Sequence, residues 1–212
     1  MRRRARRRAD AGFTMLELLL SLALLALLTG ALMEGLQLGR KAFETSRINQ
    51  AAGDLEATAA ALSDLLAHAY PLLLPDTRNG QALLFDGRPD GCLFVGLSEG
   101  DTQQGGLFMG EIGLEPNGEH SDLAVWTASF RTAESSRVTR ESMARTEAAR
   151  GVSFLQLRYF GQVEEGKAPR WNDNWAGLPR LPELVAVRFQ ASRFGRPIQM
   201  SFTVALRQKA AQ

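Results

Sequence analysis

Six arginines, Arg2, Arg3, Arg4, Arg6, Arg7 and Arg8, precede an apolar run from Phe13 to Met33 whose only charge is Glu17. At 1.5 Å per residue the run reaches about 31 Å, close to the hydrocarbon thickness of a bilayer. The arginines predict that its amino end stays in the cytoplasm and that whatever follows lies outside. A carboxylate inside lipid costs ~2.5–3.5 kcal/mol or more at the centre of a helix and less toward the interface, so Glu17 demands a reason. A secretory signal peptide is the competing reading, with Leu18–Leu28 as its core and a small-residue cleavage site around Thr29-Gly30-Ala31. Two features count against it: such cores have no use for an acid, and the helical pattern continues past residue 31.

Phe43, Ile48, Leu55, Leu62, Leu65 and Leu66 recur at helical spacing, with Arg47, Asn49, Asp54, Glu56 and Asp64 mostly between them. No proline occurs before Pro71. The pattern predicts one helix from Phe13 to Ala69, ~85 Å long at 1.5 Å per residue. A chain of 212 residues, 45% hydrophobic, has room for one membrane segment and one compact domain, which cannot bury a helix of that length. Gly30, Gly35 and Gly39 each cost ~1 kcal/mol against alanine and mark a softer stretch near the exit from lipid.

Of 25 basic and 23 acidic residues, six arginines and Asp10 lie before Phe13, so the remainder is mildly acidic. A basic tail beside an apolar run marks membrane orientation, not nucleic-acid binding. Cys92, the only cysteine, excludes an intramolecular disulfide, and its apolar setting Cys92-Leu93-Phe94-Val95 predicts a buried, inert thiol.

After Pro71 and Pro75 the periodicity changes. Short apolar runs bounded by turn residues predict strands at Ala82–Phe85, Cys92–Leu97, Leu107–Met109, Leu123–Phe130, Val152–Phe160, Leu184–Ser192 and Ile198–Arg207. The last two are joined by a hairpin loop, Arg193–Pro197. The polar stretch Ser135–Arg150 reads as a loop or short ribbon. The expected fold class is α+β: one long amino-terminal helix, its first half transmembrane, packed on a carboxyl-terminal antiparallel β domain through Ile48, Leu55 and Leu62.

Gly12, Phe13 and Glu17, placed between a basic leader and an apolar helix, resemble the amino-terminal signature of type IV pilins and of the pseudopilins of type II secretion. The resemblance implies a pilin-like fold and cleavage between Gly12 and Phe13 by a prepilin peptidase, followed by N-methylation of Phe13. It further implies that Glu17 serves filament assembly by pairing with the new amine of a neighbouring subunit. The implied organisation is a cleaved leader at 1–12, a transmembrane half-helix at 13–33, a soluble half-helix at 34–70 and a periplasmic β-rich domain at 71–212.

A second stretch runs from Gly151 through Arg158-Tyr159, Trp171 and Trp175 to two Leu-Pro pairs, Leu178-Pro179 and Leu181-Pro182, and then Val187-Arg188. It is similar to the J-type minor pseudopilin of type II secretion. That resemblance implies a place at the pseudopilus tip in the inner membrane and periplasm. The implied partners are I-type and K-type minor pseudopilins, the major pseudopilin, the inner-membrane assembly platform and secreted protein cargo. A minor pilin of a type IV pilus, serving adhesion, motility or DNA uptake, is the alternative within the family.

Trp171 and Trp175 fit two readings, an interaction surface or the closure of the β domain. No hydrolase, metalloprotease or phosphate-loop motif is present, and with two histidines, His68 and His120, no catalytic residue, metal or cofactor is expected. Glu119–Asp122 reads as a solvated turn, and Asn172-Asp173-Asn174 as a turn lacking the glycine and distant acid of a calcium loop.

Overall fold

The computed structural model describes residues 14–76, 80–98, 106–130 and 139–206. Gly12, Phe13 and the arginine-rich leader lie outside them, as does the 135–138 portion of the expected loop. The chain divides into two compact units, up to Asn49 and from Gln50 onward. One helix, α1 (Met15–Ala67), contributes to both.

Among the described residues of the first unit, α1 stands alone. Leucines from Leu16 to Leu38, together with Phe43, are all more than half exposed. The helix is long and apolar enough to cross a membrane.

In the second unit α1 buries Ala51, Leu55, Leu62 and Leu66, a stripe at heptad-like spacing. Opposite lies a nine-stranded sheet whose described strands all pair antiparallel. Its strands are β3 (Phe85–Arg88), β4 (Gly91–Ser98), β5 (Gly106–Asn117), β6 (His120–Ser129), β7 (Ala144–Gly161), β8 (Arg170–Asn172), β9 (Trp175–Ala176), β10 (Leu184–Arg193) and β11 (Arg196–Ala205). Their order is β11-β10-β7-β6-β5-β4-β3-β9, with β8 paired to the end of β7. A separate hairpin joins β1 (Leu73–Asp76) and β2 (Gly80–Leu83).

Two apolar clusters explain the two kinds of strand pattern. Leu55, Leu62 and Leu66 meet Phe94, Ile112, Leu123, Leu157, Val187 and Phe189 on the concave face. On the other face Val95, Met109, Ala124, Trp126, Phe130 and Met143 form a second cluster. Strand β4 is buried on both faces and reads as a continuous apolar run. Strand β10 is buried on one face and alternates.

The sheet curls into a half-barrel, which brings β7 against β3. The Leu157 amide donates to the Pro89 carbonyl at 2.8 Å, and the Tyr159 hydroxyl to the carbonyls of Arg88 (2.9 Å) and Gly91 (3.1 Å). A Cβ at Gly87 would lie 2.6 Å from the Tyr159 ring, so only glycine lets the ring approach. Beside this seam β8 holds β7 while β9 holds β3, and one short segment stitches both sides.

The structure corrects the sequence reading at 144–150, which is strand and not loop. Arg145 pairs with Trp126 and Thr146 with Val125, in a strand polar enough to hide its character. Arg145 also forms an ion pair with Glu115, and Arg150 one with Glu147 at 2.5 Å. Strand β7 bends where its register slips against Ser121–Leu123, and Gly151 takes φ +57° there, a conformation that favours glycine.

Candidate functional site

Thr14 stands immediately before α1, and its side chain and carbonyl both receive the Glu17 amide, at 3.4 and 3.0 Å. Thr14-Met15-Leu16-Glu17 therefore has the order of a capping box, which satisfies amides a helix start leaves unpaired. The Glu17 carboxylate lies within the positive end of the helix dipole, worth typically 0.3–1 kcal/mol. That is smaller than the ~2.5–3.5 kcal/mol scale for an acid at mid-membrane, so the cap accounts for only part of the residue's placement. The cap was missed in the sequence, although Thr followed three residues later by Glu is a readable signal. Ser21 donates to the Glu17 carbonyl at 2.7 Å, the ordinary way for a serine hydroxyl to be satisfied inside a helix.

The two tryptophans separate. Trp175 is fully buried, and its Nε1 donates to the Arg180 carbonyl at 2.9 Å. Its ring packs so closely on Gly161 that a Cβ there would lie 2.8 Å away. Trp175 closes the β domain and offers no surface. Trp171 is 38% exposed, tilts against Phe160 at 5.3 Å between ring centroids, and carries the Arg158 guanidinium 5.9 Å from its own centroid. Between them Asp173 accepts from Arg158 Nε at 2.9 Å and Asn172 donates to the Arg170 carbonyl. Their polar atoms serve the turn. Of the two Leu-Pro pairs, Leu181 is buried and Leu181-Pro182 leads directly into β10.

Among the described residues no cluster of three or more His, Cys, Asp or Glu is placed to hold a metal. Cys92 is buried, and its thiol is pushed up to about 12, first by burial and then by the nearby carboxylates of Glu111 and Asp86. It is a poor nucleophile. Burial likewise raises Tyr159 well above the ordinary phenol value, so its hydroxyl stays a neutral donor.

Asp122 is the one buried charged side chain among the described residues and lies within β6, not in the solvated turn expected over Glu119–Asp122. Its oxygens accept from Asn117 Nδ2 at 2.7 Å and from the Gly151 amide at 3.0 Å, tying the β5–β6 turn to the bend in β7. The Asn117 bond, then the Gly151 bond, hold its carboxyl below the ordinary value of 3.8. A lowered carboxyl contributes stability that is complete above the ordinary value and is lost as pH falls through the lowered one. The melting temperature of the native chain is therefore expected to exceed that of Asp122→Asn at neutral pH. The gap should close as pH falls below about 3.8, read by circular dichroism across a pH series. A gap that stays constant down to pH 2 would contradict the role of the ionised form.

Residues 7–33 match the prokaryotic N-terminal methylation motif. The chain thus carries a type IV pilin-like prepilin signal on a helix that leads into an antiparallel half-barrel, an arrangement of the pilin-like kind. Such a signal implies processing by a prepilin peptidase and assembly with other pilin-like subunits. No curated protein matches the chain.

Proposed function

We propose that this chain is a minor pseudopilin of the J type, an assembly and interaction protein at the tip of a type II secretion pseudopilus. The observation that carries the reading is the methylation motif at residues 7–33, with Glu17 in the first turn of an exposed apolar helix. The peptidase cuts between Gly12 and Phe13 and the amine of Phe13 is methylated. The helix holds the precursor in the inner membrane, with its amino end cytoplasmic and its β domain periplasmic. The order Arg158-Tyr159, tryptophan loop, Leu181-Pro182, Val187-Arg188 supports the J type over a minor pilin of a type IV pilus. I-type and K-type minor pseudopilins and the major pseudopilin are then its neighbours, the assembly platform its motor contact, and folded periplasmic protein its cargo.

Burial of Glu17 in lipid is unfavourable while the acid is unpaired, and an α-ammonium from an adjoining subunit offsets that cost only in register. The acid thereby selects correctly stacked subunits. Replacing Gly12 with leucine should leave the full-length precursor in cells expressing the peptidase. Intact-mass spectrometry checks this: the native chain should begin at Phe13 with one added methyl group. A variant that matures normally would remove the cleavage assignment.

A further inference from the structure

We infer that the outward face of β7, β10 and β11 is a docking surface for an acidic patch on a partner protein, with Arg158 and Arg188 as its anchors. The antiparallel register builds the surface. Gln156, Arg188 and Ser201 lie side by side across three strands, and Arg158, Ala186 and Thr203 form the next row. Val187, Leu157 and Tyr159 alternate with them and are buried on the concave side, so both guanidiniums stand on the outer face. Ala186 is the smallest side chain in these rows and floors a trough of about 460 Å³ between the two arginines. Arg158 and Arg188 occupy diagonal positions on neighbouring strands, where Cβ atoms are about 7 Å apart. One or two carboxylates can bridge that gap.

The two arginines differ in what already holds them. Arg158 is positioned by Asp173 through Nε and by the ring of Trp171. Its terminal nitrogens make no hydrogen bond with any described residue. The Arg188 guanidinium makes no hydrogen bond or ion pair with any described residue. Two cations on one polar face, with Asp173 paired to Arg158 alone, leave net positive charge beside the amide of Gln156 and the hydroxyls of Ser201 and Thr203. A planar fork of donors suits carboxylate, and hydrogen bonds between charged groups are about twice as strong as neutral ones.

The geometry separates the alternative occupants. A small molecule needs most of its surface enclosed, whereas this trough is lined by three strands of one face. Single-stranded nucleic acid needs a free aromatic platform and many phosphate contacts. Here Trp171 already meets Phe160 and Arg158, and only two arginines line the trough. An acidic protein surface needs neither.

The inference goes beyond the filament reading and is tested without it, on the full-length chain in neutral detergent micelles. Arg2, Arg3, Arg4, Arg6, Arg7 and Arg8 are replaced by glutamine in every sample, so that the leader does not bind the acidic probe. A fluorescein-labelled octaglutamate peptide is titrated at low ionic strength and followed by anisotropy, with a labelled oligothymidine of equal charge as the second arm. The peptide should bind saturably. Arg158→Gln and Arg188→Gln should each weaken it about tenfold or more, and Arg188→Lys less, because it keeps the charge but loses the fork. Arg196→Gln, at the hairpin end away from the trough, should leave binding unchanged. Melting temperatures establish that the variants fold, and Arg188→Lys serves as the graded test should a glutamine variant fail. Equal binding by the native chain and Arg188→Gln would overturn the inference, as would tighter binding of the oligothymidine through the same arginines.

Discussion

Glu17→Ala should insert into the membrane normally yet stay out of filaments, with secretion falling at least tenfold. Insertion improves, since removal of a charge from the apolar run lowers the cost of crossing. Under the proposed pairing what fails is selection, because the mutant helix has no preferred register against a neighbour's amine. Helix capping complicates the comparison, as the same residue belongs to the Thr14–Glu17 box. Glu17→Gln resolves it. Glutamine can occupy the same position of a capping box but carries no charge, so helix formation should persist while assembly still fails. Carbonate extraction reports insertion, and a secretion assay with filament cross-linking reports assembly. Full secretion with Glu17→Gln would mean that the acid acts through the cap alone.

Trp175→Ala should cost about 3–5 kcal/mol, the usual penalty for truncating a buried aromatic. Domains are stable by only ~5–15 kcal/mol, so a large share of the margin disappears. The side chain is completely enclosed, and its indole nitrogen satisfies the Arg180 carbonyl. Its strand is also the one that pairs with β3 at the seam where Tyr159 crosses. Truncation therefore opens the half-barrel at its closure and exposes the neighbourhood of Gly87. Trp175→Phe, which fills most of the space but leaves the carbonyl unpaired, should cost about 1–3 kcal/mol. Urea unfolding of the full chain in micelles, monitored by near-ultraviolet circular dichroism, measures both. A loss below 1 kcal/mol for alanine would show that the seam does not depend on this ring.

These two residues also mark how far the sequence could be read. Glu17 was legible because one charge in an apolar run is unfavourable wherever the chain goes, and that conflict is local. Trp175 was ambiguous because its burial depends on a pairing between residues about ninety positions apart, Gly87 and Trp175. Asp122 reads as part of a solvated turn for the same reason: its burial depends on Gly151, on another strand. The polar stretch 144–150 was misread because ion pairs with Glu115 and Glu147 replace the apolar alternation that signals a strand.

The sequence by itself determined the long amino-terminal helix, its apolar first half, the α+β class and most strand positions. Each of these is set by periodicity or by the cost of placing a residue in its immediate surroundings. Only the tertiary structure decided the curl that joins β7 to β3, the burial of Trp175 and the row that brings Arg188 beside Gln156 and Ser201. Register and closure are properties of pairs distant along the chain, and a one-residue slip would move Arg188 to the buried face.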